Sequence, residues 1–489
     1  MLASRRDFLL GAAALSAAVA TPETVRAMAA MQASADWSLA TADAERDIAR
    51  RVMRRVHGRA PAGLEGALFR NGPGKFRRPG GSATHWFDGD GLMRAFRVRD
   101  GQATLEARFA DTPKRRWESE IDAVVTPGFG TVGDGSRARI GSPNDANAAN
   151  TAVMTAGDAV WALWEGGSPL AMSATDLSTR SFVTLRDDLK GMPFQAHPRY
   201  DPDGTVWNIG LWGDRMIVWR LNADRSLHTA EVVTLPRASY MHDFTATARH
   251  LVIVMQPWVF DHHGMPYASQ FAWKPELGTQ VMVIEKADLT RTRLFELPAF
   301  SYFHLGDAWE DASGTIRFDV AAGKDVTFAM EGARVLVEGR GTVPGEPAQL
   351  SLVTLHTDGR AEMASSGIAA EFPKSDPRRA GLARRHTVHV AGERGGRPLP
   401  TGLAVHDWDT GRSDAFEFGD DVIMEEANWV PKPGRTRELD AWLVAPAINL
   451  REGVTELHAF DAARVSAGPV ASWRADIALP AGFHGIWAG

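Results

Sequence analysis

A strand that ends in an aspartate-bearing turn and resumes as a second strand recurs seven times along this chain, and that recurrence narrows the choice of fold more than any other feature. The turns fall at Asp100 in FRVRDGQATLEARF, Asp176 in AMSATDLSTRSF, Asp224 in WRLNADRSLHTAEV, Asp288 in VIEKADLTRTRLF, Asp358 in LVTLHTDGRAEMA, Asp409 in AVHDWDTGRSDAFEF and Asp461 in LHAFDAARVSAGPVASW. Short β-branched and aromatic runs accompany them, among them Val160 to Trp164, Met216 to Trp219, Leu251 to Met255, Val281 to Ile284 and Ala441 to Val444. Each is too short for a globular helix. Seven hairpins spaced 48 to 76 residues apart read as the outer hairpins of seven four-stranded sheets. The predicted fold is therefore all-β, a seven-bladed β-propeller, ahead of a pair of β-sandwiches. A bare blade needs roughly 40–50 residues, so the long intervals imply insertions that cap one face. The insertions read as Thr126 to Asn150, the aromatic Gln256 to Pro275, and Glu371 to Arg397. Only Asp43 to Val56 is predicted to be helical, with Ala44, Ile48, Val52 and Val56 at near-helical spacing.

The first 29 residues read as an address. Ser4-Arg5-Arg6-Asp7-Phe8-Leu9-Leu10 precedes a small apolar run from Gly11 to Ala20, and Ala27-Met28-Ala29 offers a small-x-small cleavage site. This resembles a twin-arginine export signal, which implies a periplasmic protein exported already folded around a cofactor. The run is well short of the roughly 20 residues that a membrane-spanning helix needs. The organisation predicted is a signal at 1–29, a helical or extended segment at 30–63 and a single catalytic propeller at 64–489.

Composition removes several chemistries. With 54 Lys and Arg against 60 Asp and Glu, a net charge of −6 recommends no nucleic-acid partner. The absence of cysteine excludes disulfides, thiolate nucleophiles, Cys-ligated zinc and iron–sulfur clusters, so any metal must sit on His, Asp or Glu. There is no HExxH, GxSxG or Walker loop. A propeller gathers strands from every blade at one axis, so ligands scattered along the sequence can converge there. Spacing alone does not single them out among fifteen histidines.

Local context does. Gln195-Ala196-His197-Pro198-Arg199-Tyr200-Asp201-Pro202, Tyr240-Met241-His242-Asp243-Phe244, Tyr302-Phe303-His304-Leu305-Gly306-Asp307-Ala308-Trp309-Glu310 and Gly482-Phe483-His484-Gly485-Ile486-Trp487 stand in that order. Arg70-Asn71-Gly72-Pro73 and Phe87-Asp88-Gly89-Asp90-Gly91-Leu92 lie upstream. Together these segments resemble the motifs of the carotenoid cleavage oxygenase family, from about residue 64 to the C-terminus. The resemblance implies a seven-bladed propeller with a helical and loop cap, in agreement with the hairpin count. It also implies that His197, His242, His304 and His484 hold one ferrous ion, Fe(2+), with dioxygen (O2) as co-substrate. Four neutral imidazoles would leave the iron its full charge and open positions. Glu165, Glu371 and Glu426 match the family's glutamates that accept the outer N–H of ligand histidines.

Departures from the family pattern are Asp307 where Asn is common, Ala427 where Pro is usual after Glu426, and Glu438-Leu439-Asp440-Ala441 in place of an acidic, acidic, Asp-Gly pattern. All four histidines stand intact. Other candidates read as structural. His262-His263 belongs to a solvated loop. His386 and His389 would face opposite sides of a strand. Asp88-Gly89-Asp90-Gly91 is a tight turn rather than a calcium loop, and His85 is not a ligand.

The expectation is a non-haem iron(II) dioxygenase that cleaves a carbon–carbon double bond of a carotenoid or apocarotenoid into two carbonyl products. A phenylpropanoid alkene of stilbene or isoeugenol type is the alternative. With only 4 Tyr to meet a phenolic hydroxyl, the hydrocarbon is favoured. Trp258, Phe260, Tyr267, Phe271 and Trp273 are candidates for an apolar entrance, and a lipid-resident substrate implies peripheral membrane contact. A metal-dependent propeller hydrolase, which would want oxygen-rich ligands, and a non-catalytic binder of apolar ligands rank lower. Oligomeric state stays open.

Overall fold

The computed structural model describes residues 37–339, 341–391 and 399–489; the export signal read at 1–29 lies outside them. Five separate antiparallel sheets follow one another along the chain, over 152–182, 199–234, 245–297, 301–369 and 371–417, with four strands each except the fourth, which has five. They form a propeller-like arrangement. The five apolar runs named above all fall in strands, and each of the seven aspartate turns joins or borders an antiparallel pair. The turn chemistry is local: Asp176, Asp224, Asp288, Asp358 and Asp461 each accept from the backbone N–H two residues on. Apolar faces of successive sheets pack on each other, as where Val252, Val254 and Phe295 of one meet Phe318, Val320 and Val353 of the next.

The remaining large sheet has eleven strands and joins the two ends of the described chain. Its middle strand, Ile48–Gly58, corrects the helix predicted over Asp43 to Val56. It pairs with Gln102–Phe109 on one side and Ala471–Arg474 on the other. A helical stripe would bury Val52, yet Val52 is 67% exposed and Met53 is 2% exposed. Two strand edges that would otherwise stand unpaired outweigh a marginal periodicity on an isolated segment. The exposed arginines then find carboxylates across the sheet, Arg50 on Glu106 and Arg51 on Asp476.

The insertions are also partly recast. Residues 126–150 are irregular apart from one short turn of helix, and Gln256 to Pro275 folds back as the hairpin Trp258–Phe260 with Phe271–Trp273. Glu371 to Arg397 is not an inserted loop. It contributes the strands Glu371–Lys374 and His386–Ala391 to a four-stranded sheet, and residues 392–398 lie outside the description. Two short helices, Pro113–Glu120 and Ala333–Glu338, lie between strands, the first capped by Thr112 Oγ1 accepting from Arg115 N–H. Phe129, Tyr240, Trp258, Phe271, Phe303 and Ala329 bring three of these connections together in one apolar cluster. No helix among the described residues is long and apolar enough to cross a membrane.

Candidate metal centre

The four motif histidines come from four different sheets. His197 lies two residues before the edge strand Arg199–Tyr200 and His242 three before Thr245–Ala246, His304 lies within the edge strand Ser301–Leu305, and His484 immediately precedes the edge strand Gly485–Ala488. Their ring nitrogens lie within 4.8 Å of one another, the one such cluster among the described residues. The Nε2 atoms of His197 and His242 are 2.9 Å apart, and those of His304 and His484 are 3.1 Å apart.

The outer nitrogens explain why these rings point inward. Nδ1 of His242 meets Glu165, Nδ1 of His304 meets Glu371 Oε2 at 2.5 Å and Nδ1 of His484 meets Glu426 Oε1 at 2.9 Å. A carboxylate at Nδ1 keeps the hydrogen on that nitrogen and leaves the Nε2 lone pair free. Three such lone pairs then face a common point. Crowding them there is repulsive unless a cation accepts them. Two imidazoles at right angles on one ion, each about 2.1 Å from it, would stand roughly 3 Å apart, which is the spacing seen in both close pairs.

Charge sets one glutamate apart. Glu426 is neutralised within the protein, 3.1 Å from Arg70 Nη1 and 3.0 Å from Lys374 Nζ. Burial alone would raise its pKa, but Lys374, His484 and Arg70 together pull it well below the carboxylate range. Among the described residues neither Glu165 nor Glu371 pairs with Lys or Arg; their partners are His242 and His304. Burial would lower the His242 pKa, but Glu165 raises it, so the carboxylates at Glu165 and Glu371 meet histidines where Glu426 meets Lys and Arg. Burial lowers the pKa of His197 and takes that of His484 down to about 3, so both are neutral donors at ordinary pH.

A cavity of about 620 Å³ opens onto His242, His304 and His484. Its walls are largely apolar, with aromatic residues that include Phe87, Phe129, Trp164, Trp258, Phe303 and Phe372. Of the five residues proposed for an entrance, Trp258 and Tyr267 line it; Phe260, Phe271 and Trp273 are not among its lining residues. Three of the four tyrosines line it too, together with Lys114, but they are engaged elsewhere except at the mouth. The Tyr302 hydroxyl donates to Val254 O at 2.6 Å and Tyr240 reaches Glu165 at 3.3 Å. Lys114 Nζ lies between Asp90 at 2.9 Å and Glu118 at 2.8 Å.

The departures at Asp307 and Glu438 have local reasons. Asp307 is a carboxylate because Arg199 Nη1 lies 2.9 Å away, while the same guanidinium holds Asp243, the neighbour of His242, at 2.7 Å. Glu438 accepts from the backbone N–H of Arg385 and His386. Ala427 is buried in an apolar cluster with Met424 and Trp429, and nothing in the structure explains why it replaces Pro. The structural readings also hold. His262 and His263 are exposed. His389 is buried against its own strand and His386 faces Glu438. Asp88 accepts three backbone N–H bonds from residues 129–131, and His85 is bonded to Ala329 O and Phe87 N–H. Residues not anticipated are Lys374, Tyr240, and the paired clamps Gln195 and Gln256. Gln195 Nε2 holds Met241 O at 2.7 Å, and Gln256 ties Tyr240 O to Tyr302 N–H. A lysine three residues after Glu371 in an otherwise apolar motif was the one legible signal.

Comparison with known proteins decides the family. The family described as retinal pigment epithelial membrane protein matches residues 40–489. The chain belongs to the carotenoid cleavage oxygenase family. Within it, the chain is 26% identical to apocarotenoid-15,15'-oxygenase from Synechocystis sp., covering 88% of this chain and 92% of that one. It is 26% identical to resveratrol cleavage oxygenase 1 from Aspergillus fumigatus over 88% and 91% of the two chains, and 26% identical to isoeugenol monooxygenase from Pseudomonas putida over 88% and 93%. The fold agrees with that of cobalt-substituted Synechocystis apocarotenoid oxygenase at a TM-score of 0.83, with 24% identity over 93% of this chain and 98% of that one. Carotenoid cleavage oxygenases are oxidoreductases, and this chain is an enzyme of that class.

Proposed function

We propose that the protein is a ferrous-iron oxygenase that cleaves a carbon–carbon double bond of a carotenoid or apocarotenoid, adding one oxygen atom of O2 to each carbon and releasing two carbonyl products. His197, His242, His304 and His484 would hold one iron per chain, with Glu165, Glu371 and Glu426 fixing three of the rings. Iron so held supplies binding and activation of dioxygen. The aromatic walls align the conjugated chain against the metal and exclude water, so proximity and desolvation do the protein's share of the work.

The observation that carries the substrate class is the state of the cavity's polar groups. Lys114, Tyr240, Tyr302, Gln256 and Asp88 all line it, yet each has its hydrogen-bonding capacity directed into the protein. A polyene needs none of those contacts broken, whereas a phenol would have to break one of them or turn to the unbonded Tyr267 hydroxyl at the cavity mouth. Stilbene or isoeugenol cleavage is the second reading, supported by the names of two relatives and by Tyr267, which lines the cavity at 41% exposure and makes no hydrogen bond through its hydroxyl.

Three finer points belong to the same reading. The eleven-stranded sheet is two blades joined by Ile48–Gly58, which with the five separate sheets makes seven, capped by residues 110–150, 256–275 and 326–339. Ile140, Trp212, Met265 and Tyr267, all large, exposed and on the cavity lining, form an apolar rim suited to resting on a lipid surface. The twin-arginine segment directs the loaded protein to the periplasm, its propeller beginning at Ile48–Gly58 rather than at residue 64.

The test is metal content and oxygen uptake on anaerobically purified protein, beside His304→Ala, with a β-apocarotenal and resveratrol offered in parallel. Near-stoichiometric iron and uptake with the apocarotenal, lost in the variant, is the expected result. Uptake with resveratrol alone would move the substrate to the second class, and failure to take up ferrous iron would remove the metal reading.

A further inference from the structure

Phe372 stands in a backbone conformation that an aromatic residue rarely accepts. Its φ is +53°, in the left-handed region, where the Cβ of any L-residue crowds the following carbonyl. It also precedes Pro373, whose ring narrows the conformations open to the residue before it. The pairing of Glu371–Lys374 with His386–Ala391 shifts register between Glu371 and Lys374, so the two residues occupy an irregularity in an edge strand, the kind of feature that re-aims side chains beside active sites.

What the distortion achieves is visible on both sides of one imidazole. The Phe372 ring lies stacked on His304, with centroids 4.6 Å apart and planes 28° apart, and meets His484 edge-on at 5.2 Å. The Phe372 N–H donates to Glu371 Oε2 at 2.9 Å, and that same oxygen takes the His304 Nδ1 hydrogen at 2.5 Å. One residue therefore holds the face of His304 with its side chain and the carboxylate partner of His304 with its backbone. An extended backbone at this position would turn both groups away.

We propose that Phe372 is a positioning residue: its strained backbone is retained because it locks the His304 ring plane and the Glu371 carboxylate together, keeping the His304 Nε2 lone pair on the common point of the four histidines. This inference rests on the metal reading of the site. It also predicts that glycine is favoured over alanine at this position, because glycine relieves the left-handed strain that alanine keeps and neither can hold the ring.

The test compares Phe372→Ala and Phe372→Gly with the parent, using cobalt(II) in place of iron as a coloured reporter of ligand geometry. The alanine variant keeps the strain and loses the ring; the glycine variant loses both. Expected results are a shifted and weakened cobalt absorption spectrum and about tenfold weaker cobalt binding in both variants, together with a higher melting temperature for metal-free Phe372→Gly than for metal-free Phe372→Ala. If the parent binds cobalt and both variants give its spectrum and affinity, Phe372 is only cavity wall and the inference fails while the metal reading stands. A glycine variant no more stable than the alanine one overturns the strain argument. If the parent itself takes up no cobalt, the metal reading fails and this inference falls with it.

Discussion

Nδ1 of His484 sits 2.9 Å from Glu426 Oε1, and Glu426 is the one carboxylate around the four histidines that also carries two cations, Arg70 and Lys374. The three glutamates therefore have unequal duties, although all three contact a histidine in the same way. Glu426 is part of a buried ion cluster, with side chains of Arg70 and Glu426 at 0% and 2% exposure. Glu165 and Glu371 face the cavity and pair with no Lys or Arg among the described residues; besides their histidines they accept from the Tyr240 hydroxyl and the Phe372 N–H.

Substitution separates these duties. Glu426→Gln leaves Lys374 facing a neutral amide and Arg70 with Glu425 as its remaining ion pair, and the expected cost is about 3 kcal/mol of stability, read as a drop in melting temperature with or without metal. Glu371→Gln and Glu165→Gln remove a charge open to the cavity. They are expected to keep the melting temperature of the metal-free protein and to weaken metal binding about 10–100-fold, measured by titration.

The N-terminal strand makes a second prediction. If Ile48–Gly58 pairs as described, Met53→Ala is expected to cost about 2–5 kcal/mol, because the side chain is packed among Phe96, Leu105 and Trp473. Val52→Ala should stay within about 0.5 kcal/mol. A helix over the same residues reverses the order, so chemical denaturation of the two variants distinguishes them.

Acid sensitivity has a source away from the metal. Burial pushes the His389 pKa down from 6.5 to about 4, with only its own strand's Val390 O bonded and with His406 and Asp319 nearby. In the unfolded chain the same imidazole takes up its proton near 6.5. Above that pH the group contributes nothing; as pH falls from 6.5 to 4 the unfolded state gains the proton first, and about 3 kcal/mol of stability is lost. Denaturation midpoints across this range are expected to fall less steeply in His389→Leu.

The apolar rim predicts its own partner. Trp212→Glu combined with Met265→Glu places two charges where Trp212 is 69% and Met265 57% exposed. Co-sedimentation with lipid vesicles is expected to drop sharply while the melting temperature stays unchanged, since neither side chain is packed. Equal sedimentation of parent and variant would remove the membrane role.

Much of this was legible before any coordinates, for particular reasons. The hairpins were readable because Asp224-Arg225-Ser226 and its counterparts close their turns with their own side chains, a local chemistry that tertiary context does not override. The histidines were readable only through their neighbours, since Pro198, Asp243 and Gly485 say more in context than the histidines do alone. Ile48–Gly58 was misread because its pairing partners lie far away and its periodicity is weak. The Phe372 conformation had no signal at all, as an Glu-Phe-Pro-Lys run reads as plain strand. Glu371 to Arg397 reads as an insertion because the interval between hairpins is long, and its arginines conceal two strands. In fact Arg384 is buried in contact with Asp319 and stacks over Trp309 at 4.6 Å.

The eleven-stranded sheet also orders events in time. Arg70 touches Gly482 across 412 residues of chain, and Gly66–Arg70 pairs with Gly485–Ala488 directly after His484. The fourth histidine reaches the others only when that last seam closes, after the entropy of gathering the whole circuit has been spent. On the proposed metal reading, a chain with that seam open lacks the fourth ligand, and release of metal on heating is expected to track the opening of the seam.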